Sequence, residues 1–321
     1  MIKWGFIGCG QVTETKSGPA FATAQGSMVE AVMSRDAAKA ESYARRHNIA
    51  KWYTDAWALI NDERVDAVYI ATPPSSHATY AIIAMKAGKP VYIEKPMAHS
   101  YYECLRINRV SQECNVPCFV AYYRRYLPYF HKVKELIDQI GTIVNVQIRF
   151  SQPAAEFDYS QDKPWRLIPD ISGGGLFYDL APHQIDILQY YFGPIIEAQG
   201  LCTNRKHLYE AEDSVSACFK FSNGLVGSGS WCFVSNPDVK EDRIEIMGEK
   251  GNISFSVFTF EPITLSDATG VHTFNIENPK HVQFPLVQAV VDHLQKKSVC
   301  MCDGLSATPT NWVMDKILGK L

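Results

Sequence analysis

The chain has 321 residues, of which 46% are hydrophobic and 20% are charged, and its formal net charge is −3. This length suits two domains. The weak charge, without any block of five or more like charges, excludes a general attraction to nucleic acid or to anionic membranes, so the expected partner is a small molecule.

The cysteines and the first residues both bear on the compartment. The nine cysteines are an odd number and form no CxxC pair, which excludes zinc ribbons. Several lie in apolar runs, where a free thiol behaves as a small hydrophobic side chain. The chain passes directly into the strand pattern of MIKWGFIGCG, without a signal peptide, and no stretch approaches a membrane span. We therefore expect a reduced, cytoplasmic protein.

Residues 1–122 alternate short apolar runs with helical stretches. The strand candidates are KWGFIG, MVEAVMS, VDAVYIAT, PVYIEK and VPCFVAYY. Continuous hydrophobicity within such runs indicates parallel strands that are covered on both faces. The succession predicts a doubly wound parallel sheet, the Rossmann type of α/β domain. Gly18 and Pro19 should break its first helix early, because proline removes a backbone hydrogen bond.

A glycine loop follows the first strand. It reads Gly8-Cys9-Gly10-Gln11-Val12 and continues with Thr13. Two glycines permit a tight turn and the close approach of a pyrophosphate, whereas a threonine replaces the third glycine of the usual dinucleotide fingerprint. We predict that Gly8, Gly10, Gln11 and Val12 bind a dinucleotide. A glycine turn without a ligand is the alternative.

The second strand candidate ends in Ser34-Arg35-Asp36. NAD-specific folds normally end this strand in an acidic residue that binds the ribose hydroxyls. The hydroxyl of Ser34 and the guanidinium of Arg35 suit the 2′-phosphate of NADP instead, so NADP(H) is favoured and NAD(H) is the alternative. Asp36 is predicted to cap the next helix.

The strand candidate PVYI brings Glu94-Lys95-Pro96 to its carboxyl end. Ligands of an open α/β sheet bind outside the carboxyl ends of its strands, so Lys95 is predicted to face the cofactor cleft. A solvated surface lysine is the alternative. A cis bond between Lys95 and Pro96 is predicted, since cis peptide bonds belong to X-Pro and mark fixed tight turns.

Residues 123–321 are predicted to form an α+β domain. Beyond residue 142 the strands alternate, and Asn223-Gly224 gives a strong hairpin signal between two of them. The stretch DRIEIMGEKGNISFSV repeats the pattern, and helices are predicted at 174–192, near 284–297 and at 304–319. We therefore expect a large, mostly antiparallel sheet with helices on one side and an open apolar face on the other.

The stretch GGGLFYDLAPHQIDIL, residues 173–188, carries Asp179 and His183 on one face of a helix. The i, i+4 spacing would suit two metal ligands, but no His or Cys nearby completes a set, so no metal site is predicted. The preceding glycines would let the backbone approach the cofactor or Lys95 closely. Asp186 is assigned a structural role.

A resemblance to the Gfo/Idh/MocA oxidoreductases, which include glucose-fructose oxidoreductase and inositol dehydrogenase, covers nearly the whole chain. It is carried by the order GFIGCGQV, ATPPSSHA, YIEKPMA, YYRRYLPYFHKVKELIDQIG, PWRLIPDISGGG and GGGLFYDLAPHQID. The resemblance implies an NAD(P)-dependent enzyme that transfers a hydride between nicotinamide and a secondary alcohol or ketone carbon of a sugar, cyclitol or related polyol. It also implies a homodimer or homotetramer formed through the second domain's sheet.

The resemblance places Lys95 and His183 near the reacting hydroxyl, with Asp179 beside them. We assign His183 as the principal acid/base and Lys95 as the group that bonds and polarises the same oxygen. Asp179 would orient or tune the imidazole or the ammonium. Lys95 as the acid/base is the alternative, because a desolvated lysine can be tuned towards neutrality.

Two further groups of residues follow from the resemblance. The group beside the nicotinamide is the loop residues Thr72, Pro73, Pro74 and His77, and Glu94 is also assigned to cofactor binding. The group in the substrate cleft is Arg124, Trp165 and Arg166, whose aromatic face and guanidinium groups suit the CH face and hydroxyls of a polyol. For the first group the alternative is structural: the prolines stiffen a turn and a serine caps the next helix.

Two other functions are alternatives. One, within reach of the family that the chain resembles, is a glycosidase that uses a tightly held dinucleotide for transient oxidation and elimination. The other is a non-catalytic regulator that senses a dinucleotide. The set of Lys95, Asp179 and His183 argues against the regulator, which needs no proton transfer.

Overall fold

The structure is a computed structural model that describes residues 1–321. The chain divides into two compact units. The first consists of Met1–Tyr123 and Pro279–Thr308, and the second consists of Arg124–Asn278 and Pro309–Leu321. The first unit therefore takes in a late segment of the chain as well as the N-terminal region. None of the helices combines the length and the apolar character that crossing a membrane requires.

The helices and strands are numbered in chain order. The helices are α1 Gln11–Thr15, α2 Ser17–Thr23, α3 Ala37–Arg46, α4 Ala56–Ile60, α5 His77–Lys86, α6 Tyr101–Cys114, α7 Pro128–Ile137, α8 Pro169–Ser172, α9 Gly175–Phe192, α10 Phe284–Leu294 and α11 Gly304–Ile317. The strands are β1 Ile2–Ile7, β2 Ser27–Met33, β3 Lys51–Tyr53, β4 Ala67–Ile70, β5 Val91–Ile93, β6 Cys118–Val120, β7 Ile143–Ser151, β8 Ile195–Thr203, β9 Ser214–Phe221, β10 Val226–Cys232, β11 Glu241–Gly248, β12 Gly251–Phe255, β13 Ile263–Asp267 and β14 Gly270–Phe274.

The first unit is built on a six-stranded sheet in the order β3-β2-β1-β4-β5-β6. All of its strand pairs are parallel. This is the order of the doubly wound dinucleotide-binding fold, so the predicted fold class is confirmed. The edge strand β3 was not predicted, because three residues are too few to show a hydrophobic pattern.

The predicted early break of the first helix is confirmed, since α1 and α2 are separate helices. Pro19 has no N–H to donate to the carbonyl of Thr15, four residues earlier. The hydroxyl of Tyr43 donates to the Thr13 carbonyl at 3.0 Å. A Cβ on Gly18 would lie 2.1 Å from that same carbonyl oxygen, so the break requires glycine there.

The late segment of the first unit packs against its beginning. Helix α10 contacts α2. The side-chain amide of Gln288 accepts a hydrogen bond from the backbone N–H of Gln25 at 2.7 Å, and Gln295 donates to the carbonyl of Gly26 at 3.2 Å. These bonds fix the connection between α2 and β2.

The second unit contains an eight-stranded sheet in the order β14-β13-β12-β11-β7-β10-β9-β8. Only the β7–β10 pair is parallel, so the predicted mostly antiparallel sheet is confirmed. The predicted hairpin joins β9 to β10, and Gly224 in its turn has a φ of +91°. Such a positive φ favours glycine.

One face of this sheet is covered and the other is open. On the covered face Trp231 donates to the side chain of Gln184 in α9 at 2.7 Å. The open face of the adjacent strands β9 and β10 carries exposed Ser216, Cys218, Ser228 and Ser230. The prediction that this open face is apolar is wrong, because strand alternation turns the large apolar side chains towards α9.

Candidate active site

The glycine loop after β1 uses its two glycines for different reasons. Gly8 has a φ of +109°, and a Cβ there would lie 2.7 Å from the carbonyl oxygen of Ala71 after β4. Gly10 has an ordinary φ of −94°, and apart from its own chain neighbours no protein atom lies within 4 Å of the place where its Cβ would be. The packing of the protein therefore does not explain Gly10, whereas close approach of a dinucleotide pyrophosphate fits it.

The carboxyl end of β2 lies next to this loop, since the thiol of Cys9 donates to the carbonyl of Met33. Burial raises the pKa of Cys9 to about 11, so the thiol is neutral near pH 7. Beyond the strand, Arg35 is exposed. The carboxylate of Asp36 accepts from the backbone N–H of Lys39 at 3.1 Å, which confirms the predicted helix cap.

His77 lies between the loops that follow β4 and β5. It is completely buried, with Nε2 at 2.7 Å from the carbonyl oxygen of Thr72 and Nδ1 at 3.0 Å from that of Pro96. Burial lowers its pKa below the ordinary value of 6.5. A neutral imidazole has one N–H and donates to one of these carbonyls at a time. His77 therefore lies between the two loops and donates to the carbonyl of one of them at a time.

Glu94 and Lys95 occupy the carboxyl end of β5, and the bond between Lys95 and Pro96 is cis, as predicted. The buried carboxylate of Glu94 accepts from the hydroxyl of Tyr69 at 2.6 Å and from the amide of Gln283 at 2.9 Å. Burial, with the nearby Glu94 charge, raises the pKa of Tyr69 well above its ordinary value, so Tyr69 stays a donor. These two bonds fix the residue that precedes Lys95.

In the second unit, Asp179 and His183 lie one turn apart in α9, as the spacing predicted. Asp179 accepts from Nε of Arg166 at 3.1 Å. The Arg166 guanidinium lies over the ring of Trp165, 4.4 Å from its centroid. The structure therefore brings together three of the sequence-predicted residues.

His183 is almost completely buried, and its ring lies 6.0 Å from the ring of Phe258, centroid to centroid, at an interplanar angle of 74°. The Arg124 guanidinium lies over the same Phe258 ring at 4.8 Å, and its Nε donates to the carbonyl of Val257. Phe258 was not predicted. No local pattern marks it, because it lies in a loop far from both residues along the chain.

Other residues of this region serve the second unit's own packing. Asp186, one turn beyond His183, accepts from Nε of the buried Arg125 at 2.9 Å, which agrees with its predicted structural role. A Cβ on Gly175 would lie 2.3 Å from that of Ala211, and one on Gly174 would lie 2.7 Å from the ring of Tyr178. These contacts explain the two glycines by close packing within the unit, in place of the predicted approach of the cofactor.

No group of three or more His, Cys, Asp and Glu side chains could hold a metal ion. Asp179, the acidic residue of the i, i+4 pair, instead pairs with a guanidinium.

The family of the chain follows from comparison with known proteins. Residues 2–122 match the family model of the oxidoreductase family with an NAD-binding Rossmann fold, and residues 130–254 match that of the GFO/IDH/MocA C-terminal domain. The fold and the first match define the chain as an NAD-binding oxidoreductase. It belongs to the GFO/IDH/MocA family, as the motifs predicted, and is an enzyme of the dehydrogenase or reductase type.

Individual relatives extend over most of the chain. It is 41% identical to Oxidoreductase P35 of Formosa agariphila over 322 residues, which cover 99% of this chain and 98% of that protein. It is 28% identical to scyllo-inositol 2-dehydrogenase (NAD(+)) of Bacillus subtilis, in a match that covers 85% of this chain and 78% of that protein. Levoglucosan dehydrogenase, solved with NADH and levoglucosan, shares the fold with a TM-score of 0.88 at 22% identity. The match covers 99% of this chain and 96% of that protein.

Proposed function

We propose that the enzyme transfers a hydride between NADP(H) and a secondary alcohol or ketone carbon of a sugar, cyclitol or related polyol. The observation that carries this proposal is the buried His183, one helical turn from an Asp179 carboxylate that is paired with Arg166. The named activities of relatives support the substrate class. Besides the inositol dehydrogenase, the chain is 27% identical to 1,5-anhydro-D-fructose reductase of Ensifer adhaerens over 279 residues, 84% of this chain and 81% of that protein.

The proposed roles follow from what each side chain can do. A bound nicotinamide supplies the carbon that exchanges the hydride. His183 takes the hydroxyl proton when the alcohol is oxidised and returns it when the ketone is reduced. Lys95 donates a hydrogen bond to the same substrate oxygen and stabilises its developing negative charge. Asp179, paired with Arg166, keeps a fixed charge one turn from the imidazole.

Replacing His183 tests the proton transfer. His183→Ala is expected to lower kcat by about 10²- to 10⁴-fold, because the variant lacks the general acid/base. NADPH binding, measured by fluorescence titration, should be retained. His272→Ala, which changes an exposed histidine on β14, is the matched control and should keep full activity. Unchanged turnover of His183→Ala would remove this residue from the mechanism.

The preference for NADP(H) is proposed from the end of β2. The Asp36 carboxylate caps α3, while Arg35 is exposed and free to meet a 2′-phosphate. We expect kcat/KM for NADPH to exceed that for NADH, and Arg35→Ala to reduce the ratio by about 10-fold or more, since a hydrogen bond to a charged group contributes about 1.5–3 kcal/mol. Arg45→Ala, at an exposed site on α3, should leave the ratio unchanged. Equal values for both cofactors in the wild type would contradict the preference.

A panel of scyllo-inositol, D-xylose, levoglucosan and 1,5-anhydro-D-fructose tests the substrate class, in both directions and with both cofactors. Net oxidation or reduction of the cofactor with a panel member supports the proposal. Hydrolysis of glycosides without net change of the cofactor would indicate the transient-oxidation glycosidase. NADPH binding without turnover of any compound would indicate the regulator.

Assembly and compartment complete the proposal. We propose a homodimer or homotetramer that forms through the open face of the eight-stranded sheet, and a cytoplasmic location. All nine cysteines are free thiols, which supports a reducing compartment.

A further inference from the structure

We propose that Phe258 is a positioning residue that fixes the imidazole of His183 for proton transfer, and that Asp242 in turn fixes Phe258. This inference rests on the proposed role of His183. It starts from the loop of residues 256–260, named here the Phe258 loop, which follows β12 in the second unit.

A single carboxylate holds the backbone of the Phe258 loop. Asp242, in β11, accepts from the consecutive backbone N–H groups of Val257, Phe258 and Thr259 at 3.0, 2.6 and 3.0 Å. Hydrogen bonds to an ionised acceptor are roughly twice as strong as neutral ones. The carboxylate therefore determines where the loop presents the Phe258 ring.

The far end of the loop is held as well. The hydroxyl of Ser256 accepts from the backbone N–H of Glu261 at 2.7 Å. The buried hydroxyl of Tyr129 accepts from the N–H of Ser256 at 3.1 Å and donates to the carbonyl of Glu261 at 2.6 Å. With both ends bonded, the loop has little freedom to shift.

The Phe258 ring itself is surrounded by three side chains. Arg124 covers one face at 4.8 Å, Phe150 meets the ring at 5.3 Å with an interplanar angle of 66°, and His183 meets it at 6.0 Å. These near-perpendicular contacts are the geometry that aromatic pairs prefer. The ring of Phe258 is thus a fixed surface against which the imidazole packs.

An aromatic neighbour can orient an imidazole without using its nitrogens. A phenyl ring has no hydrogen-bonding atom, so its contact with His183 occupies neither ring nitrogen. Phe258 therefore suits a histidine that must move a proton, because small errors in geometry are costly in proton transfer.

Kinetics of position 258 variants test this inference with NADPH and the panel compound that the wild type turns over fastest. Phe258→Ala should lower kcat by about 10- to 100-fold, the scale of a misplaced catalytic group, while the KM for NADPH stays unchanged. The solvent deuterium isotope effect on kcat should rise, because proton transfer becomes slower. Phe258→Tyr should have the kcat of the wild type. If Phe258→Ala does not fold, Phe258→Leu takes its place in the test.

Replacing the carboxylate tests the second half of the inference. Asp242→Ala should lower kcat in the same direction as Phe258→Ala. Asp267 provides the matched control, since it accepts from the backbone N–H and the hydroxyl of Thr269 in the β13–β14 turn of the same unit. Asp267→Ala should keep the wild-type kcat. A kcat of Phe258→Ala or Asp242→Ala within twofold of the wild type would overturn the corresponding step.

A second readout separates this inference from the proposed function. Diethyl pyrocarbonate modification of His183, followed by mass spectrometry, needs no substrate. In Phe258→Ala the modification should be several-fold faster than in the wild type, where His183 is 5% exposed. Inactivity of the wild type on the panel would defeat the proposed function alone, whereas unchanged modification rates would defeat the contact.

Discussion

His77 and His183 differ in what surrounds their imidazole rings. Both ring nitrogens of His77 face backbone carbonyl oxygens, whereas the ring of His183 lies beside the phenyl ring of Phe258. His77 was predicted beside the nicotinamide, and the structure supports a role in holding the loops that carry Thr72 and Lys95. Direct contact of His77 with the cofactor stays a prediction.

The burial of His77 gives stability a pH dependence. Because burial lowers its pKa below 6.5, the unfolded chain binds a proton at this side chain at a pH where the folded chain does not. The free energy of unfolding should therefore decrease as the pH falls below about 6.5, down to the pKa of the folded state. In His77→Gln this loss should be smaller.

Urea unfolding at about pH 7.5 and about pH 5.5 measures this difference. His272→Gln, at an exposed position, should retain the wild-type dependence. An identical loss in His77→Gln and the wild type would show that His77 does not titrate in this way.

Sequence reasoning at the residue scale succeeded where the cause is local. The cap at Asp36 and the cis bond before Pro96 each depend on neighbours along the chain. The partners of Glu94 could not be predicted, since Gln283 lies 189 residues away from it. Phe258 was not predicted for the same reason, because only the folded second unit brings it next to His183.

Among the elements, the glycine loop offers a direct test of the cofactor site. Gly10→Ala should leave the free energy of unfolding within about 0.5 kcal/mol of the wild type, because the added methyl group meets no protein atom within 4 Å. The same methyl group should weaken NADPH binding by about 10-fold or more, because it would occupy the space that a pyrophosphate approaches. Isothermal titration calorimetry and urea unfolding measure the two effects, and wild-type affinity would contradict the assignment.

Gly18→Ala is the matched comparison for that test. Here the methyl group would lie 2.1 Å from the Thr13 carbonyl oxygen, and the short helices α1 and α2 would have to move. We expect a loss of stability of about 1–3 kcal/mol, as for other overpacked sites. Urea unfolding is the measurement, and a variant as stable as the wild type would be incompatible with the observed helix break.

Element types could largely be predicted, because hydrophobic periodicity distinguishes covered parallel strands from half-exposed antiparallel ones. The open face of the large sheet was the main error at this scale. In SVSACFKF, the sequence of β9, alternation places Val215 and Phe219 inward and Ser216 and Cys218 outward. The apolar open face was predicted from the helices on one side of the sheet, whereas the alternation along each strand decides which side chains that face carries.

For the whole molecule, the proposed assembly through the open sheet face can be tested at Ser228. This exposed residue of β10 lies between Gln147 of β7 and Cys218 of β9. Light scattering of the wild type should give at least twice the monomer mass, and Ser228→Arg should shift it towards the monomer, because a buried, unpaired charge is costly. Ser298→Arg, at an exposed site in the first unit, should leave the measured mass unchanged. A monomeric wild type would exclude the assembly.

The late segment of the first unit has a consequence for how the protein is made. Each unit takes its last part from residues 279–321, so neither is complete when the ribosome has passed their main portions. At about 5–20 residues per second, the first 123 residues wait about 10–40 s for the segment that ends at Thr308. During that time Glu94 lacks Gln283 and the turn at Gly26 lacks Gln295, so the nascent first unit exposes surfaces that the finished enzyme never shows.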